Sequence, residues 1–119
     1  MGADGAARAL AAGRVAIGAS LCAAPGLAAG WVGFDARAPG ARVITRALGA
    51  RDAALGLGTL AAAHDATELR HWLVASSACD AADFALTFGS PRSRGRNLVL
   101  AMAAGATFAG LAVAAAVAR

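Results

Sequence analysis

Two stretches of this chain, Val15–Phe34 and Asn97–Ala118, contain no charged residue. Nothing else limits the possible folds as strongly. About 20 apolar residues in a helix, rising about 1.5 Å each, cross a hydrocarbon core of about 30 Å. A helix packed on the outside of a soluble bundle keeps a polar face, and these two have none. They read as the first and last of a set of membrane spans. Both are built largely from Ala and Gly, so Leu, Ile, Val and Phe supply most of the drive for insertion, and a soluble Ala-rich bundle is the alternative. Composition favours the membrane reading, since 59% of residues are hydrophobic and 15% charged, with a mean hydropathy of +0.61.

Between them, Val43–Ala63 and His71–Gly89 are also long and apolar but carry Arg51, Asp52, Asp80 and Asp83. Residues 35–42, with Ala38, Pro39 and Gly40 in a row, form a turn signal. The polar segment 64–70 and the basic run 90–96 supply the other two loops. The expected fold is all-α, a single transmembrane domain with four helices running up, down, up, down. Arg37, Arg42, Arg46, Arg92, Arg94 and Arg96 cluster on one side, against Arg8, Arg14, Arg70 and Arg119 on the other. This places loops 35–42 and 90–96 in the cytoplasm, with both termini outside a cell membrane.

The formal charge of +4 comes from arginine alone. No basic run is interleaved with aromatics, which argues against a nucleic-acid partner. Cys22 and Cys79 fall inside the expected spans and offer no CxxC motif or disulfide framework. Residues 8–30 resemble a secretory signal, but removing them would leave an odd number of spans, and the order Ala19, Ser20, Leu21 before Cys22 is wrong for a lipoprotein cleavage site. Residues 1–7 are expected to fray, Pro25 to kink the first span, and Trp31 and Phe34 to anchor its far end at an interface. Gly49, Ala53 and Gly56 have the spacing that lets helix backbones approach closely, within the chain or between subunits.

If the second and third spans fold back near residue 67, Arg51 and Asp83 lie at equal depth, with Asp80 about one turn away and also within reach of Arg51. Reflection about the first loop brings Pro25 level with Asp52, and about the third loop Thr107 level with Asp80. Trp72, Ser76, Asp80, Asp83 and Thr87 share one stripe of the third helix, which must face inward. Charges near the bilayer centre cost roughly 2.5–3.5 kcal/mol each on insertion scales and face a bundle interior or an aqueous cavity. A buried Arg–Asp bridge that fixes helix register would account for one pair. Three carboxylates against one guanidinium leave two charges uncompensated, so at least one carboxyl is expected to be neutral.

A neutral carboxyl beside an ionised one, with an arginine between, can act as general acid and general base. An Asp, Arg, Asp set of this type opens epoxides in soluble enzymes, a likeness of chemistry and not of fold. Asp80 and Asp83 also form a DxxD, the Mg²⁺ motif of membrane prenyltransferases and phosphatidyl-alcohol transferases. Phe84, however, stands where those families place a Gly. A metal set of Asp52, Asp80, Asp83 and His71 would need His71 to leave the membrane surface. Neither a cofactor nor a metal is therefore expected. Size and span number are similar to the small multidrug exporters, but the first span lacks their acidic residue.

RALGARDAALGLGTLAA at Arg46–Ala62, followed by HWLVASSACDAADFAL at His71–Leu86, resembles small four-helix integral membrane proteins of unknown function from GC-rich bacteria. These carry an Arg-Asp pair before a Gly-rich helix and then an Asp-x-x-Asp. The resemblance maps onto Arg51, Asp52, Gly56, Gly58, Asp80 and Asp83. It implies the topology and the association of these residues, and no reaction.

The leading expectation is a membrane-embedded enzyme performing acid–base chemistry (hydrolysis, cyclisation or isomerisation) on a lipophilic small molecule. Asp80 and Asp83 would exchange protons, while Arg51 holds the charge balance or a substrate oxygen. Asp52 would orient Arg51 or take part directly. The alternatives are a non-catalytic subunit of a membrane complex, using an exposed Gly49/Ala53/Gly56 or Gly105/Ala109 face, and a dimeric proton-coupled transporter.

Overall fold

The computed structural model describes residues 2–26 and 38–119. Among the described residues four long helices follow one another: α1 (Ala3–Ala23), α2 (Pro39–Ala61), α3 (Ala66–Phe88) and α4 (Arg94–Val117). The chain is an all-α four-helix bundle.

Local signals set the helix ends. Pro39 opens α2 at a position where its missing N–H costs nothing. Asp65 caps α3 by accepting from the Glu68 backbone N at 2.9 Å, and Ser93 caps α4 by accepting from Arg96 N at 3.1 Å. Arg96 also donates to the Phe88 carbonyl at 2.7 Å and lies over its ring, closing the α3–α4 turn.

The first helix departs from the sequence reading. It begins at Ala3 and stops at Ala23, whereas the expected span was 15–34, and its later part (27–34, with Trp31 and Phe34) lies outside the described residues. Residues 3–7 are helical and do not fray, and Ala7 is fully buried. The irregularity expected at Pro25 falls one residue earlier: the residue before a proline is pushed out of the α region, Ala24 has φ −133° and ψ 61° and ends α1, and Pro25 and Gly26 are again helical.

Backbone-to-backbone contact joins α1 to α2. A Cβ on Gly18 would sit 2.5 Å from Ala53 N and from Gly49 O, and one on Gly56 would sit 2.7 Å from Ala11 O. The Gly49, Ala53, Gly56 spacing thus serves close packing within the chain. Gly110 of α4 gives the same proximity to Ser77 of α3. The α1–α2 and α3–α4 pairs are closely packed, and the α2–α3 and α1–α4 seams are thinner. Ala7, Leu69, Leu73 and Ala114 join α1, α3 and α4 in a small apolar cluster near the chain termini.

The distribution of side chains is inverted relative to a water-soluble core. Among the described residues only Leu69 and Leu73 of the buried hydrophobics are larger than alanine, and Thr45, Thr59, Ser76, Ser77 and Asp80 are buried with them. Val43, Ile44, Leu86, Phe88 and Phe108 point outward, with Leu86 78% and Phe108 74% exposed. Two described helical segments, Ala3–Ala23 and Gly95–Val117, are long and apolar enough to cross a membrane. The charges on α2 and α3 set those two helices apart.

Candidate functional site: a chain of ion pairs through the bundle

The inward stripes of α1, α2 and α3 repeat at alternating steps of three and four residues, the period that keeps side chains on one bundle axis. On α1 it runs Ala7, Ala11, Arg14, Gly18, on α2 Thr45, Gly49, Asp52, Gly56, Thr59, and on α3 Leu69, Leu73, Ser76, Asp80, Asp83. Arg14, Asp52 and Asp80 therefore meet inside the bundle. Arg51, one residue off the α2 stripe, reaches across the α2–α3 seam.

Five side chains alternate in charge: Asp80, Arg14, Asp52, Arg51, Asp83. Arg14 donates through Nη2 to Asp80 Oδ2 and through Nη1 to Asp52 Oδ1 at 3.2 Å. Arg51 Nη2 donates to the same Asp52 oxygen at 3.1 Å. Arg51 also grips Asp83 at two points, Nη1 to Oδ1 at 3.0 Å and Nη2 to Oδ2 at 2.6 Å, a fork geometry specific to arginine. The interior end is the better shielded: the Arg14 and Asp80 side chains are 15% and 10% exposed, those of Arg51 and Asp83 31% and 28%.

The equal-depth pairing of Arg51 with Asp83 holds. Arg51 does not reach Asp80, whose bonded partner is Arg14. The sequence puts Arg14 on the side of the termini, outside the charge-free window that begins at Val15. Two signals pointed to it: the Ala7, Ala11, Gly18 spacing that it completes, and the two unbalanced negative charges. With Arg14 included, the fully ionised network has one negative charge in excess, not two.

The reflection about the third loop also holds, since the Gly110–Ser77 contact sets a register that brings Thr107 level with Asp80. Thr107 itself donates to Ala103 O. Pro25, by contrast, does not lie beside Asp52. Contact of Gly18 with Gly49 and Ala53 shifts that register by more than two turns. Cys22 donates to Arg46 O at 3.4 Å, and both cysteines are free thiols.

The metal set Asp52, Asp80, Asp83 and His71 does not assemble: the carboxylates are held by arginines, and His71 is exposed on α3. Among the described residues no group of three or more His, Cys, Asp or Glu side chains could hold a metal ion. Two surface hollows of about 210 and 260 Å³ lie at the start of α3, one lined by His71, Trp72 and Ala75, the other including Arg70 and Val117. Neither is lined by a member of the network. No family model matches the chain, nor does any curated protein or solved structure.

Proposed function

We propose that this chain is a small integral membrane protein whose ion-pair network is an acid–base centre for a lipophilic small molecule, engaged from the α2–α3 side. Membrane insertion is supported by the inverted packing: large apolar side chains outside, with small residues, hydroxyls and charges within, the arrangement a hydrocarbon solvent selects. Burial of Arg14 removes one arginine from the side bearing the termini. Six arginines around loops 35–42 and 90–96 then face Arg8, Arg70 and Arg119, which supports cytoplasmic placement of those loops.

Exposure of the Arg51–Asp83 end carries the functional reading. A bridge that served only to fix helix register would be closed from the surroundings, because partly exposed charges at bilayer depth are costly. Here about three-tenths of both side chains remains accessible on the thinner seam. A polar group on a lipophilic molecule docking there would be within reach of a guanidinium and a carboxyl. Acid–base work of this kind asks one carboxyl to donate a proton to a substrate oxygen while another accepts one. In this scheme Asp83 meets the substrate, Arg51 stabilises developing negative charge on its oxygen, and Asp80 and Asp52 hold the balancing charge through Arg14.

Native mass spectrometry of the protein in mild detergent tests this, comparing wild type with Asp83→Asn. A small lipophilic molecule retained by wild type and lost from the variant is the expected result. A co-purifying membrane polypeptide indifferent to the variant would favour the second reading, a subunit of a larger complex. Gly105 favours that reading: it is exposed, and a Cβ added there meets nothing within 4 Å, whereas the small residues of α2 are already committed to α1.

A further inference from the structure

Ser76 belongs to the inward stripe of α3, one helical turn before Asp80. It is 6% exposed, and its buried Oγ has no hydrogen-bond partner. A buried hydroxyl left unpaired costs about 1–3 kcal/mol, so the position calls for an oxygen ligand. Thr59 of α2, 3% exposed, lies level with it across the α2–α3 seam in the register set by Arg51 and Asp83. Thr59 gives its proton to the Leu55 carbonyl at 2.8 Å, which leaves its own oxygen free to accept.

Helix register thus brings the hydroxyls of Ser76 and Thr59 and the carboxyl of Asp80 within about one helical turn of one another along the bundle. A buried water is held by two to four polar partners, and residues four apart on a helix have Cβ atoms about 5–6 Å from each other. Trp72, a further turn towards the start of α3, borders the surface hollow it shares with His71 and Ala75.

We propose that Ser76, with Thr59, holds a water that carries protons between the Trp72 end of the bundle and Asp80. The inference rests on the acid–base reading of the network and gives that centre a direction of proton supply. In transit, the water receives a proton from the solvent side and passes a different one to an Asp80 oxygen. The Ser76 hydroxyl donates to the water and reorients afterwards, so serine and water end unchanged and the network has gained one proton. The groups facing this proton are Arg14 from α1, Arg51 and Asp52 from α2, and Asp83 from α3. From 97 to 117, α4 has no titratable side chain.

The test is time-resolved infrared spectroscopy of the full chain in detergent, following the carboxyl C=O band after a pH jump. Ser76→Val should slow protonation about tenfold, the rate equivalent of roughly one lost hydrogen bond, with its equilibrium midpoint unchanged. Ser76→Thr, which keeps a hydroxyl, should restore the wild-type rate. Thr45→Val, at a buried hydroxyl on the opposite side of the network, should leave it unchanged. Should Ser76→Val fail to fold, the smaller Ser76→Ala carries the same comparison. Equal rates in wild type and the Ser76 variants, or equal slowing by Thr45→Val, would overturn the route while leaving the acid–base centre standing. The absence of any titrating carboxyl band in wild type would overturn both.

Discussion

Arg14 and Asp80, 66 residues apart in the chain, form an ion pair that ties α1 to α3 across the bundle interior. Arg14 shares its other Nη with Asp52 of α2, so one guanidinium joins three helices. Neither pairing is local in sequence; without Arg14 the Asp80 carboxylate would be a stranded charge, while Asp52 would keep Arg51.

Removal of Arg14 should therefore do more damage than loss of a surface ion pair. Arg14→Met leaves Asp80 with no cationic partner among the described residues and raises the excess charge from one to two. Breaking a buried pair from one side costs about 3–5 kcal/mol. Thermal unfolding in detergent should show a large drop for Arg14→Met and a partial recovery in Arg14→Met combined with Asp80→Asn. Additive losses in the double variant would mean the two side chains do not act as a pair.

Asp83→Asn makes the opposite change, leaving two guanidinium and two carboxylate groups. Arg51 retains Asp52 as a partner, so stability should remain within about 1 kcal/mol of wild type, the range of a partly exposed ion pair. Retention of a lipophilic ligand should be lost. A variant that failed to accumulate as folded protein would assign Asp83 to the scaffold instead.

The α1–α2 contact leaves no room for a side chain at Gly18. Gly18→Ala places its new carbon against the backbone of Gly49 and Ala53, and overpacking of this kind costs typically 1–3 kcal/mol. Gly105→Ala, which meets nothing, should be neutral or stabilising by up to about 1 kcal/mol through helix propensity. The two melting temperatures, measured in one detergent, check the contrast directly.

Orientation can be read by labelling. A cysteine at Ser93, in a background with Cys22 and Cys79 replaced by alanine, should be shielded from an impermeant thiol reagent in intact cells. A cysteine at Thr67, exposed at the start of α3, should react. The reverse pattern would invert the topology, and reaction at both sites would argue against a bilayer-spanning bundle.

Four helices, their order and the pairing of Arg51 with Asp83 were legible in the sequence because each follows from one-dimensional information. Apolar length, turn residues and equal distance from a turn contain it. The interior position of Asp80 followed from the α3 stripe in the same way. Arg14 did not follow, and neither did the α1 boundaries. A window defined by the absence of charge excludes any arginine that tertiary contact neutralises, and helix register depends on which backbones approach most closely. Gly18 decides that register by admitting Gly49 and Ala53, which moves Arg14 into the bundle and Pro25 away from Asp52. The chain alone thus specifies that four long apolar segments are present and that the charges carried by α2 and α3 must be sheltered. Only packing decides which charge shelters which, because an ion pair depends on distances between helices and no spacing along one helix contains them.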